Sequence, residues 1–166
     1  MSKKVALLMG SANDFPSLKG CVKVLKDFGI DVTVHVMSAH RTPALTCEFS
    51  ASAAENGYGV IICAAGKAAH LAGSVAAQTI LPVIGIPVKS STLDGLDALL
   101  STVQMPKGIP VATVAIDGGD NAALLAVQIL AIADERLARA LYNYKAKMQS
   151  DIEKQNGEIQ DEAVKL

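Results

Sequence analysis

The feature that most constrains this chain is a rhythm: short, nearly all-apolar runs alternate with longer segments of helical period. Residues 4–9 (KVALLM) hold one charge and five apolar side chains, the pattern of a strand covered on both faces. Similar runs recur at 30–37 (IDVTVHVM), 58–65 (YGVIICAA), 81–88 (LPVIGIPV) and 110–116 (PVATVAI). Between the first two lies a predicted helix with Asp14 as N-cap, Pro16 near its start, Leu18, Val22 and Leu25 on one face, and Gly29 to close it. Further predicted helices run from Pro43 to near Gly57, over 67–79 and over 91–104. A long helical pattern then continues without interruption from Asn121 to Met148. No linker or repeat divides this series, so residues 1–150 read as a single α/β domain with a parallel sheet. Residues 151–166 read as a polar, flexible tail.

Five parallel strands joined by right-handed crossovers favour a flavodoxin-like three-layer sandwich with strand order 2-1-3-4-5. That order has a functional consequence. Strands 2, 1 and 3 become neighbours, so the loops leaving their C-terminal ends share one sheet edge, where open α/β sheets bind ligands. The loops are GSAND (10–14), SAHRTP (38–43) and AAGKAAH (64–70), and they contain two of the three histidines. The final helical pattern, about 28 residues or roughly 40 Å long, overhangs a domain of this size. It keeps Leu137, Leu141 and Tyr144 at helical spacing as its surface becomes charged, which predicts docking on another subunit.

Bulk properties narrow the partners. Hydrophobic residues make up 51% and charged residues 19%, which excludes a disordered chain and fits a large buried core. A net charge of −1 gives no support to a nucleic-acid or anionic-membrane partner, so any phosphate must be held by a few local donors. The apolar run at 5–9 is too short for a signal peptide, and no apolar stretch is long enough to span a bilayer. Cys21, Cys47 and Cys63 have neither disulfide nor zinc spacing, as expected of a reduced, cytoplasmic protein.

Each loop offers chemistry and a structural alternative. Gly10 permits close approach of a ligand, Ser11 can donate to phosphate, and Asp14 can accept from ribose hydroxyls; alternatively, Asp14 caps its helix and Ser11 satisfies the turn. In the second loop, Arg41 presents a planar fork suited to phosphate, and His40 can both give and take a proton near neutrality. Capping by Ser38 or Thr42 explains the hydroxyls and Pro43, but not a His–Arg pair at the switch in strand order. The third loop supplies Gly66 for close backbone approach, Lys67 for charge, and His70, which on a small-residue helix is alternatively a core histidine. His35, within a strand, reads as structural. A metal between His40 and His70 has no acidic or cysteine ligand pattern to complete it.

Together with AAENGYGVII (53–62), VQMPKGIPVATVAI (103–116) and NAALLAVQIL (121–130), these loops resemble the catalytic subunit of phosphoribosylaminoimidazole carboxylase of purine biosynthesis. The closer resemblance is to its class I form, the N5-carboxyaminoimidazole ribonucleotide (N5-CAIR) mutases, and it covers residues 4 to about 131. It implies a homo-octamer acting on a small ribonucleotide without metal or organic cofactor, functionally coupled to the ATP-dependent N5-CAIR synthetase. By position it implies that Gly10, Ser11, Asn13, Asp14, Ser38 and Arg41 hold the nucleotide. His40 is then the general acid and base, His70 a second catalytic histidine, and Gly66, Lys67 and Leu71 part of the carboxylate-side loop. Asn13 replaces a common serine, Lys67 the second glycine of the class I pattern GGAAH, and Ala72 the proline of HLPG.

Class II carboxylases, which use CO2 directly, carry arginine near Lys67 and form the alternative within the family. A flavodoxin-like electron carrier would need a hydroxyl-rich first loop and flanking aromatics, yet Phe15 is the only aromatic residue near these loops and Trp is absent. A response-regulator-like domain would need clustered acids where only Asp14 stands.

Overall fold

A computed structural model describes residues 3–91 and 93–166. Strands β1 (Lys4–Met9), β2 (Val32–Val36), β3 (Tyr58–Gly66), β4 (Val83–Val88) and β5 (Ala112–Thr113) form one all-parallel sheet in the order β2-β1-β3-β4-β5. Helices α1 (Phe15–Asp27), α2 (Pro43–Ser52), α3 (Leu71–Ala76), α4 (Leu96–Val103), α5 (Gly119–Ala131) and α6 (Glu135–Ala163) complete it. The fold class and strand order are those expected from the sequence.

The period-2 geometry of a strand sorts the apolar runs into two cores. From β1, Val5, Leu7 and Met9 face Leu18, Cys21 and Leu25 of α1 and Ala122, Ala126 and Val127 of α5. Ala6 and Leu8 face the other way, into a cluster with Ile61, Cys63, Leu71, Ala72 and Val75. Both faces of β1 are therefore dry, which is why its sequence has no polar alternation. Small residues set the helix–sheet distance: a β-carbon on Gly85 of β4 would collide with Thr102 Cγ2 and lie 3.4 Å from Ala72 Cβ.

Three expectations need correction. The pattern over 121–148 is two helices, because Asp134 adopts an extended backbone (φ −136, ψ 99) and its carboxylate accepts from Arg136 N at 3.0 Å and Leu137 N at 3.3 Å. An N-cap inside an otherwise helical pattern restarts the helix at a new angle. Residues 151–163, expected in a polar tail, continue α6 to Ala163. The fifth strand is also shorter than its apolar run. Pro110 has no N–H to donate, and the chain turns after Val114, with Gly118 N bonding Ala115 O at 2.9 Å.

Helix α6 is fastened near its start. Leu137 is buried, Arg136 Nη1 donates to Phe28 O at 3.1 Å, and the Phe28 and Tyr144 rings lie 5.7 Å apart. Beyond that point Met148, Ile152 and Ile159 are exposed. Among the described residues, no helix is long and apolar enough to cross a membrane.

Candidate active site

The site is assembled by strand ends. Met9 and Val36 finish β1 and β2 beside Ala64, two residues before the end of β3: Met9 pairs with both others in register, and Gly10 N donates to Ala64 O at 3.2 Å. A β-carbon on Gly10 would meet no protein atom within 4 Å, so glycine there leaves cavity space open. Ser11 Oγ accepts from Asn13 N at 3.2 Å and starts the short 3-10 turn Ala12–Asp14. Asp14 holds the N-cap position of α1, but its side chain makes no cap bond. Burial pushes its carboxyl above the usual range, opposed by the Ser11 backbone N–H and the charge of Arg41.

The second loop folds on its own hydroxyls. Thr42 Oγ1 accepts from Ser38 N at 2.9 Å and donates to Ser38 O at 3.1 Å. Neither Ser38 nor Thr42 caps α2 with its side chain; Pro43 simply provides its first residue. Ser38 Oγ accepts from Arg41 N at 3.2 Å and Arg41 Nε at 3.4 Å, and Arg41 Nη2 reaches Gly10 O at 2.5 Å. The guanidinium is thus braced between the first two loops, with Nη1 in no such contact among the described residues.

His40 Nε2 and His70 Nδ1 are 2.9 Å apart, with their rings edge to face. Both histidines are exposed, so His70 is not a core residue. A hydrogen bond between imidazoles requires one nitrogen to donate and the other to accept, so each ring constrains the tautomer of the other. His35 lies elsewhere, bonded to Thr33 Oγ1 at 2.9 Å and stacked obliquely on Phe49. Among the described residues, no three His, Cys, Asp or Glu side chains are grouped to hold a metal ion.

In the third loop, Gly66 serves packing more than ligand approach: its β-carbon would lie 3.2 Å from Val88 O. Lys67 has φ +55, the left-handed region that glycine tolerates best. This gives a backbone reason for glycine in the class I pattern and marks Lys67 as a strained exception.

These loops enclose a cavity of about 620 Å³. Gly10, Ser11, Asn13 and Asp14 line one part and Ser38, His40 and Arg41 another; Gly66, Lys67, His70 and Leu71 line a third. Every site residue expected from the sequence is therefore at the cavity wall, though Leu71 is itself buried. The sequence reading missed Ala39, Lys89 and Ser90. The signal for the last two was available: strand 4 neighbours strand 3, so its following loop reaches the same edge. Lys89 is held there by Asp117, whose Oδ1 accepts from Lys89 N at 3.0 Å, and by Asp94, 3.1 Å from Lys89 Nζ.

Comparison with known proteins agrees on one relationship. The AIR carboxylase family pattern matches residues 4–151. The N5-carboxyaminoimidazole ribonucleotide mutase of Saccharolobus solfataricus is 52% identical over 149 residues, covering 90% of this chain and 94% of that protein. Its namesake from Pyrococcus abyssi is 54% identical over 145 residues, covering 87% and 83%. Among solved structures, Treponema denticola PurE superposes with a TM-score of 0.79 at 31% identity, covering 91% of this chain and 95% of that one.

Proposed function

The chain belongs to the AIR carboxylase family, and from that premise we propose that it is an N5-carboxyaminoimidazole ribonucleotide mutase of purine biosynthesis. It is an isomerase that converts N5-CAIR to 4-carboxyaminoimidazole ribonucleotide (CAIR). The observation that carries the chemistry is the His40–His70 pair, bonded at 2.9 Å, in one cavity with Arg41. Loss of CO2 breaks the bond between the exocyclic nitrogen and the carboxyl carbon, and His40 supplies a proton to that nitrogen. Carbon 4 of the resulting aminoimidazole ribonucleotide (AIR) then attacks the retained CO2, and its ring proton returns to His40. The proton count closes on one imidazole, with His70 fixing which nitrogen of His40 is occupied.

Arg41, Ser11 and Ser38 hold the phosphate, Asp14 the ribose hydroxyls and Asn13 the mouth of the first loop. Anchoring at the phosphate keeps the imidazole oriented while CO2 is free. Gly66, Leu71 and the small residues Ala65 and Ala68 form the pocket that retains CO2. The catalytic unit is residues 1–150; the family match over 4–151 supports that boundary. The working form is a cytoplasmic homo-octamer that takes substrate from the ATP-dependent synthetase. The exposed apolar residues along α6 support subunit docking, and light scattering measures it.

Lys67 favours a second reading, direct carboxylation of AIR, because class II enzymes carry a cation near this point. Incubating the enzyme separately with N5-CAIR, and with AIR plus bicarbonate, decides between them. Efficient CAIR formation from N5-CAIR is expected; turnover only in the bicarbonate mixture overturns the mutase reading.

A further inference from the structure

The side of the cavity formed by β3 and β4 contains an arrangement that the proton chemistry does not use. Gly66 and Val88 are the last register pair between these strands. Lys67 and Lys89 are therefore the first residues beyond the pair, one on each neighbouring strand end, and both line the cavity. Lys67 is exposed and has no ion-pair partner among the described residues. It also holds a left-handed backbone, unfavourable for a residue with a β-carbon. Among the described residues the Lys89 ammonium pairs with Asp94, and both side chains are well exposed, so that contact exchanges readily for another anion. Two cations leaving adjacent strands repel each other unless an anion lies between them.

We propose that Lys67 and Lys89 form a cationic pair that holds the migrating carboxylate, opposite the phosphate-holding Arg41. This assignment rests on the mutase reading, since it supplies the identity of the second anion. The substrate is anionic at two places, its phosphate and its carboxyl group. Arg41 is braced against Gly10 O and Ser38 Oγ on the β1–β2 side. Lys67 precedes His70 by three residues, and His70 bonds His40. The carboxylate, which must react beside the proton-transferring imidazole, therefore belongs on the Lys67–Lys89 side.

The pair contacts the carboxylate in N5-CAIR and in CAIR alike, while the negative charge leaves that position when CO2 departs. It consequently stabilises both bound nucleotides more than the decarboxylation transition state. Its contribution falls on affinity and KM rather than on kcat.

The test compares two nucleotides that differ only by the carboxylate. Calorimetry measures CAIR and AIR binding to wild type, Lys67→Met, Lys67→Arg and Lys89→Gln. Replacing either lysine by a neutral residue is expected to weaken CAIR about tenfold, as for one charge-assisted contact, and AIR less than twofold. Lys67→Arg restores CAIR binding to within about threefold of wild type, since the cation is kept. Raising salt narrows the CAIR preference in wild type, and narrows it less in either neutral variant, which keeps one of the two cations. In turnover of N5-CAIR, KM rises with the same tenfold factor while kcat does not fall. Retained AIR binding reports an intact fold in each variant. Equal losses for AIR and CAIR, or no loss for either, in a wild type that converts N5-CAIR overturn this assignment alone. A wild type that neither binds these nucleotides nor converts N5-CAIR overturns the mutase reading and this assignment with it.

Discussion

Replacing Lys67 by glycine should make the protein more stable. Lys67 has φ +55, and a residue with a β-carbon pays about 1–2 kcal/mol to hold the left-handed region. Glycine removes that cost but brings greater freedom to the unfolded chain, worth about 0.5–1 kcal/mol in the opposite direction. Lys67 is exposed and in no ion pair among the described residues, so truncating its side chain forfeits little packing or Coulomb energy. The difference is a net gain of about 0.5–1 kcal/mol. For a chain of this length that raises the Tm by about 1–4 °C. Thermal unfolding followed by circular dichroism at fixed protein concentration measures it. Lys67→Ala is the essential comparison, because it removes the charge yet keeps the β-carbon. A Lys67→Gly protein no more stable than Lys67→Ala would refute the backbone argument, whatever either variant does to activity.

Three further outcomes follow from the site and the core. His40→Asn keeps nucleotide binding but loses at least about 10²-fold in turnover, the ordinary contribution of a positioned acid–base group; unchanged kcat removes His40 from the chemistry. Asp14, whose carboxyl is raised chiefly by burial, binds its proton more tightly in the folded protein than in the unfolded chain. Its stabilising contribution is thus fully present below the unfolded carboxylate range and is lost as pH rises through the folded value. Asp14→Asn should therefore unfold at a higher temperature than wild type at pH 7, lose that advantage in acid, and bind nucleotide less tightly; parallel stability–pH curves for the two proteins contradict this. Gly85→Ala inserts a β-carbon against Thr102 Cγ2, 3.0 Å from Val111 Cγ1 and 3.4 Å from Ala72 Cβ. A cost of about 1–3 kcal/mol is expected from such overpacking, with lower turnover as α3 shifts beneath His70, and a wild-type Tm would show that the helices yield freely.

Much of this molecule is written in local pattern. Runs such as KVALLM specify strands buried on both faces because a side-chain period of two leaves no wet side to mark with polar residues. The order of apolar runs and helical segments then implies the parallel sheet. The sheet implies the ligand edge, and the edge picks out GSAND, SAHRTP and AAGKAAH. What local pattern does not contain is contact between distant residues. His40 and His70 are 30 positions apart, and only the convergence of β2 and β3 around β1 brings their nitrogens to 2.9 Å. Asp134 looks like one more polar residue of a long helix until its carboxylate is seen bonding two backbone amides. Gly66 reads as room for a ligand, whereas the neighbouring Val88 carbonyl is what excludes a side chain there. Lys67 and Lys89 stand 22 residues apart, and each alone resembles an ordinary surface lysine. The sequence determined the strands, their order and the three loops, because those depend on periodicity along the chain. Tertiary structure decided which side chains meet, because that depends on strand register and on distances across the sheet.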